Sequence, residues 1–556
     1  MKLKKIILLL FFFSATLFAQ TEYVLSNNRV YDFLERMETL HLIDKYNSYE
    51  IPKTRKDIAG YLKEVIANQN KLDDVDKNIL VDLEKEFELE LFGTLKNSEK
   101  LITGDHFDFL SQQEKYLYFV RDTVKNINLF FNSAGHADGI MGNYMDPSKT
   151  IGADVMSYEF QVRGTFYGKF GFFWRGGDGV VWGQREAALF RRDLQYNFKY
   201  NTFDKPNSFD ITTAGYLTAD FGLLKVKFGR DRMHIGYGAL PVIMDDNSSL
   251  FDYLYLDAKY KSVEVSYFHG KLLGNTTSTY DSTVGSINTV AEKYIGYHRI
   301  GLNLSNDFSI GAGEIIIYNS RPPDFTYLNP FNIYKTAQNE VSKDRDNSMI
   351  IFDFNNKSIT GLKLYGVFLI DDVELAQLGT NYWGNQFIYN IGFISNNLYK
   401  YLPLQFQFEY VRQDPYVFTH RLPNNNYTNN GYSLGTFMQP NSELFLTQFS
   451  YRFTNRLKLT AIFSYYLHGA NLLNPDGTVK KNVGGDINLG HREFDPTLAP
   501  FLDGDRETMR RFSAKLFYEP IKDVYFSGTL TYLNKSLQNS VNNKRFETFL
   551  SFGFVL

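Results

Sequence analysis

The period of the apolar pattern constrains this chain more than any other feature. In Leu404-Gln405-Phe406-Gln407-Phe408-Glu409-Tyr410-Val411 residues 404, 406, 408 and 410 are apolar while 405, 407 and 409 are polar. Strand side chains alternate with period two, so this run has one apolar and one polar face. The same period recurs in Met156 to Arg163, Leu457 to Tyr466 and Val524 to Tyr532. In the last stretch Phe546, Thr548, Leu550, Phe552, Phe554 and Leu556 share one face, while Glu547, Phe549, Ser551, Gly553 and Val555 share the other. A soluble barrel of so many long strands has a large dry interior to fill with its apolar faces. Turning those faces to lipid removes the difficulty. The expected fold is an all-β antiparallel transmembrane barrel of about 18 strands with a small N-terminal α-helical periplasmic domain.

The rest of the chain agrees. Lys2, Lys4 and Lys5 precede the apolar run Ile6 to Phe13, and Leu17-Phe18-Ala19 precedes Gln20. This reads as a secretory signal peptide over 1–19, too short to span a membrane as a helix. No later run is long and apolar enough for a helical span. The expected location is the outer membrane of a two-membrane bacterium. With 50 Phe, 39 Tyr and only 3 Trp, aromatics reach 17%, an excess that lipid-facing rings and interfacial girdles explain. There is no Cys, which excludes disulfides and thiolate metal sites. A net charge of −3, or −6 once the leader lysines are removed, argues against nucleic acid as a partner.

Between Gln20 and about residue 110 the period is helical. Val30, Phe33, Leu34, Met37 and Leu40 form one stripe; Ile58, Tyr61, Leu62, Val65 and Ile66 a second; Ile79, Leu80, Leu83 and Phe87 a third. Three short amphipathic helices can bury these stripes against one another as a cap for the barrel. The barrel is expected over 111–556, with 20–110 as the helical domain.

Connections alternate between short and long. Short ones fall near 220–222, 260–262, 305–307, 355–357, 396–402, 454–456 and 519–523. Long ones cover about 231–250, 271–295, 319–345, 371–384, 413–442, 469–507 and 535–543. Barrels of this class have short periplasmic turns and long outer loops, so the long set is expected outside, carrying the surface function. This count puts about 16 strands between Arg191 and Leu556, with 153–163 and 165–175 adding two. Residues 123–133 alternate too and are assigned to a plug or junction. The glycine-rich stretch 176–179 onward falls on the wrong side for a long loop.

Phe228-Gly229-Arg230-Asp231-Arg232-Met233-His234-Ile235-Gly236-Tyr237-Gly238 resembles the Gly-Arg … Trp-Gly-x-Gly segment of the Wzi capsule-assembly family, with Ile235 at the Trp position. Tyr327-Leu328-Asn329-Pro330-Phe331 and Arg345-Asp346-Asn347-Ser348 resemble its Tyr-x-x-Pro and Asp-Asn segments. The resemblance covers about 111–556. It implies an 18-stranded outer-membrane lectin that tethers exported capsular polysaccharide to the cell surface. Its partners would be that polysaccharide and outer-membrane lipid, with the periplasmic helices facing the capsule-export machinery.

The residues themselves supply compatible chemistry. Planar rings pack on sugar faces, and forked donors and carboxylates hold hydroxyls and acidic groups. The expected polysaccharide-binding residues are Arg230, Asp231, Arg232, His234, Tyr237, Trp174, Arg175, Asp346 and Asn347, set against the bland reading of charge pairs that brace the wall. Alternation through Leu224, Val226 and Phe228 would send Arg230 and Arg232 to lipid, an expensive place for a bare guanidinium. Either a bulge at Gly229 resets the alternation and brings them over the lumen mouth, or the strand has reached the headgroups. The nine His residues show no ligand spacing, and no Gly-x-Ser-x-Gly elbow occurs. No catalytic residue, metal or cofactor is expected. The alternative function is an outer-membrane porin or polysaccharide-export channel, distinguished by an open lumen rather than a plugged one.

Overall fold

In the computed structural model the alternating runs form a single closed wall. The structure describes residues 20–102, 108–197, 200, 207–246, 248–341, 345–396, 403–538 and 542–556; the leader read over 1–19 lies outside them. The wall strands are β1 (Ile127–Met145), β2 (Ser148–Phe166), β3 (Phe170–Gly183), β4 (Ser208–Asp220), β5 (Leu224–Asp231), β6 (Phe251–Tyr260), β7 (Val263–Asp281), β8 (Gly285–Asn303) and β9 (Phe308–Asn319). They continue with β10 (Asn347–Ile359), β11 (Leu362–Asp372), β12 (Gln386–Ser395), β13 (Leu404–Gln413), β14 (Ser442–Thr454), β15 (Leu457–Ala470), β16 (Asp505–Ile521), β17 (Val524–Leu537) and β18 (Asn543–Val555). Each pairs antiparallel with the next, and β18 closes on β1 from Arg545↔Tyr144 to Val555↔Ala134. The total is 18, reached by a different route from the one expected. Residues 127–145 are a full wall strand rather than a junction, and the stretch after residue 207 holds one strand fewer than counted.

The miscounts share a cause: the alternation fades wherever side chains are small or both faces are wet. Gly176 to Gly179 lie within β3; a Cβ on Gly177 would stand 2.0 Å from the Tyr158 carbonyl oxygen, so this strand needs glycine to approach β2. The turn between β2 and β3 is therefore at Tyr167-Gly168, not near 164, and the long connection is the one that follows β3, with β4 beginning at Ser208. Likewise 271–295 is not a loop. The Thr- and Ser-rich strands β7 and β8 run on as a hairpin that stays exposed at its tip.

Outward positions carry exposed apolar side chains, among them Phe160, Leu217, Ile300, Phe352, Phe463 and Leu530. Inward positions point into a filled lumen. Residues 232–246, 248–250 and 414–441 turn inward from the long-loop end, and Tyr23 and Tyr49 enter from the other. Together with inward side chains of β3 to β15 they form one buried cluster. Backbone and side chain lock the two inward loops together: the Asp245 amide donates to the Leu434 carbonyl at 2.8 Å and the Tyr427 hydroxyl to the Ile243 carbonyl at 2.8 Å. At the centre Arg299 pairs with Asp353 at 2.7 Å beneath the Tyr49 ring. Gln407, on the polar face of β13, is 6% exposed and donates to the Tyr365 hydroxyl at 3.1 Å.

The helices are α1 (Arg29–Thr39), α2 (Arg55–Ala67), α3 (Asp74–Glu86) and α4 (Glu88–Phe92). The side chains of Asn28, Thr54 and Asp73 accept from the opening turns of α1, α2 and α3. The three expected stripes pack into one core with Val30, Phe33, Leu62 and Leu83 fully buried. The bundle closes the short-turn end of the barrel through charged contacts. Arg29 meets Glu519 at 2.8 Å, Asp32 meets Lys458 at 2.7 Å, and Asp57 meets Lys225 at 2.5 Å. Glu38 lies between Lys357 and Lys363 at 3.3 and 2.8 Å.

These contacts set a pH dependence. The Lys458 ammonium, opposed by burial and helped by Arg452, brings the half-exposed Asp32 carboxyl down to about 2. Burial pushes Glu38 and Asp57 up, but their lysine partners hold both below the ordinary carboxylate value. A carboxyl depressed on docking contributes stability that is complete above its undocked pKa of about 4 and disappears as pH falls through the docked value. The melting midpoint of the helical circular-dichroism signal is therefore expected to drop between about pH 4 and pH 2, while the β signal persists. An unchanged midpoint over that window would mean these pairs do not hold the bundle.

Candidate functional site at the barrel mouth

The long-loop end presents a platform that the wall alone could not build. Residues 373–385 join β11 to β12, and 471–504 join β15 to β16. The first is pinned to the second: the Trp383 amide donates to the Thr497 carbonyl at 3.1 Å and the Ala499 amide to the Asn381 carbonyl at 2.8 Å. This places the Trp383 ring flat against the His491 ring, centroids 3.9 Å apart and planes 8° from parallel. Tyr416 meets both edge-on.

Two pockets share Trp383. One, of about 180 Å³, is polar, with Lys335, Asp346, Asn347, Asp372, Arg421 and His491 in its lining. The other, of about 200 Å³, opens at the rim between Tyr382, Tyr389, Arg412, Asp414 and Phe501. Lys335 and Asp372 stand 3.5 Å apart. Arg412 bonds Asp414 at 2.9 Å and lies 3.9 Å over Phe501. Beside the platform Arg492 pairs with Asp495 at 2.7 Å; burial raises the Asp495 carboxyl, but the bonds from Arg492 and Asn482 hold it below the usual range. A planar ring flanked by forked cations and carboxylates suits a polyhydroxylated ring with an acidic substituent.

The expected site residues divide among four places. Asp346 and Asn347 line the polar mouth pocket. Asp346 is held by Arg321 at 2.6 and 2.9 Å and by the Tyr327 hydroxyl at 2.7 Å, while Asn347 donates to the Asn425 carbonyl at 3.1 Å. His234 and Tyr237 belong to the inward loop. His234-Ile235 pairs with Glu50-Ile51, and Tyr237, 1% exposed, packs on Tyr49 and Tyr365. Both are plug elements there. Trp174 points outward and is exposed, as is Trp182, because both continue the lipid-facing alternation of β3. Arg175 points inward, 4.0 Å from Glu159.

Of the two alternatives for Arg230 and Arg232, the bulge at Gly229 does not form. Phe228, Gly229 and Arg230 pair in unbroken register with Leu254, Tyr253 and Asp252. Gly229 instead allows a close approach, since a Cβ there would meet the Gly215 carbonyl oxygen at 2.3 Å. Arg230 therefore stays on the outward face at the strand's end, bonded to Asp252 at 2.6 and 3.0 Å. Asp231 turns inward and pairs with Lys227 at 2.6 Å. Arg232 lies past the strand and shares a cleft of about 620 Å³ with Arg230, Asp252 and Lys271. A cavity of about 100 Å³ joins Arg232 to Asp231 and Arg175.

Sequence reasoning missed Trp383, His491, Lys335 and Arg421. A signal existed for the first: Trp383 is the one Trp outside β3, set in the turn-rich Asn381-Tyr382-Trp383-Gly384-Asn385.

Residues 162–546 match the family model described as capsule assembly protein Wzi. No curated protein sequence matches. Among solved structures, Wzi of Escherichia coli, described as an outer membrane protein involved in group 1 capsule assembly and a carbohydrate-binding β-barrel, superposes with a TM-score of 0.56 at 11% identity, covering 96% of this chain and 99% of that one. OprD of Pseudomonas aeruginosa gives 0.40 at 11% identity, covering 81% and 100%. OpdK of the same organism, solved with vanillate, gives 0.42 at 8%, covering 77% and 99%.

Proposed function

The chain belongs to the Wzi capsule assembly family and is an outer-membrane β-barrel, and from that premise we propose that it holds exported polysaccharide at the mouth pockets around Trp383. The observation that carries this reading is the Trp383–His491 platform with charged walls above a filled lumen. A filled lumen leaves a binding role rather than a passage role as the better supported one. The reading involves no catalytic step. In this orientation the short turns and α1 to α4 are periplasmic, where the helices can meet the export machinery, and the long loops face outward.

The test is Trp383→Ala in the full-length protein. Loss of a central aromatic anchor at a binding site costs about 2 kcal/mol, or roughly thirtyfold in affinity. Binding of the purified capsular polysaccharide of the host strain is expected to fall by about that factor, with the folded barrel still heat-modifiable on a gel. Unchanged binding would move the site away from the mouth, and the cleft at Arg230 and Arg232 would become the next place to probe.

A further inference from the structure

The loop after β9 does not extend into solvent. It folds down over the outside of the barrel. Its helices are short, α5 (Phe325–Leu328) and α6 (Tyr334–Val341). Beneath them lie outward side chains of three strands: Tyr267 and His269 of β7, Tyr294 and His298 of β8, and Glu314, Ile316 and Tyr318 of β9. That these face outward follows from their neighbours, since Phe268, Ile295, Tyr297, Ile315 and Ile317 all point into the lumen cluster. Outward wall residues should be exposed, yet Ile316 and Tyr318 are 0% exposed and Glu314 8%.

The flap satisfies polar groups that lipid would leave bare. The amides of Tyr334 and Lys335 donate to the two Glu314 oxygens at 2.7 and 3.3 Å, so that carboxylate caps α6. His298 Nε2 lies 3.1 Å from Glu314, and His269 Nε2 2.8 Å from the Tyr318 hydroxyl. Tyr267 donates to the Leu328 carbonyl at 3.0 Å and Tyr334 to the Tyr327 carbonyl at 3.2 Å. Arg321 and Tyr327 clamp the entry of the flap onto Asp346. Glu314 is six residues up β9 from Phe308, about 20 Å of strand and about 15 Å in height at the usual tilt of barrel strands, inside an apolar band about 25 Å tall. A carboxylate and two imidazoles at that depth need cover.

The face turned away from the wall is the reverse in character. Phe325 and Phe331 are each 87% exposed and Ile333 64%, three large apolar side chains within nine residues. We propose that residues 321–341 form an interfacial flap seated in the acyl–headgroup boundary of the membrane leaflet on the long-loop side, with Phe325, Phe331 and Ile333 inserted among the lipid chains. Continuity with the lipid-facing wall identifies the occupant: the flap lies on the apolar belt and replaces its missing upper part over β7 to β9. A polar inner face and an apolar outer one is the make-up of an element that lies in a membrane interface. The flap also supplies Lys335 and, through Arg321, the anchored Asp346 of the polar mouth pocket, which would set that pocket close to the membrane surface.

The chain has no Cys, so single-cysteine variants can be spin-labelled directly. The full-length protein would be reconstituted in phosphatidylcholine–phosphatidylglycerol vesicles, with a nitroxide at Phe331→Cys and collision rates measured for oxygen and for a water-soluble nickel chelate. Phe352→Cys, outward on β10, is the lipid standard, and Thr279→Cys, exposed on the β7–β8 hairpin, is the aqueous one. The label at 331 is expected to favour oxygen over nickel several-fold, as at 352. Nickel access equal to that at 279 would overturn the proposal and return the flap to the water-exposed loops. If Phe331→Cys fails to assemble, Ile333→Cys makes the same measurement with the same two outcomes. The reading stands apart from polysaccharide binding, because the label reports depth whatever the mouth binds.

Discussion

Replacing Lys363 by methionine is expected to weaken the docking of the helical bundle by about 3–5 kcal/mol, the usual cost of breaking a buried ion pair from one side. Lys363 is 0% exposed and its ammonium bonds Glu38 at 2.8 Å, Ser48 at 2.8 Å and Glu35 at 3.2 Å. Methionine fills much the same volume, so the loss is electrostatic: Glu38, itself 0% exposed, keeps one cation, Lys357, and a hydrogen bond from the Asn355 amide. The wall should survive, because Lys363 lies at the start of β11 and its backbone pairing with β12 does not involve the side chain. The readout is twofold. The segment 20–100 should become sensitive to protease added from the short-turn side, and planar-bilayer recordings should show transient current as Tyr23 and Tyr49 leave the lumen cluster. A variant as protease-resistant and as silent as the parent would show that the apolar contacts alone seat the plug. Glu38→Gln in the Lys363→Met background is the informative second step: it removes the stranded charge and should recover part of the loss.

Phe408→Arg is the other change with a large expected effect. Phe408 faces outward from the middle of β13 and packs on Phe393 of β12, ring centroids 5.9 Å apart. An arginine near the bilayer midplane costs about 2–4 kcal/mol, and the heat-modifiable form on a gel should be largely lost. The control has to be an inward position that still has room. Gln407 does not serve, since it is buried against Tyr365. Lys515 does: it alternates with outward Ala514 and Leu516 on β16, points inward and remains exposed. Lys515→Arg should assemble normally. Equal assembly of both variants would invert the face assignment for the whole wall.

Both changes turn on the same division between what alternation dictates and what packing decides. Period-two alternation is a local property of each strand. Leu404 to Val411 and Phe546 to Leu556 therefore declared their lipid and lumen faces without reference to any neighbour, and the apolar stripes at Val30, Ile58 and Ile79 likewise declared a helical bundle. The resemblance at residues 228–238, 327–331 and 345–348 pointed to the family that the match over 162–546 confirms. The pattern failed where it is weakest. Glycines in β3 carry no side chain to alternate, and the wet β7–β8 hairpin has no buried face to mark.

The site was less legible for a different reason. Arg230, Asp231, Arg232, His234 and Tyr237 are adjacent in sequence, yet unbroken pairing with β6 sends Arg230 outward and Asp231 inward, and the next residues dive into the lumen. Trp383 and His491 are over a hundred residues apart and meet only because the Trp383 and Ala499 amides pin their two loops together. The sequence by itself determined the barrel, its faces, its turn end and the helical cap, because those follow from periodicity along a single segment. Only the tertiary structure decided that the lumen is filled, that the loop after β9 lies on the outer wall, and which side chains share the mouth. Those depend on where loops fold back, and a loop's path is set by contacts between residues distant in the chain, such as Tyr334 and Lys335 capping onto Glu314.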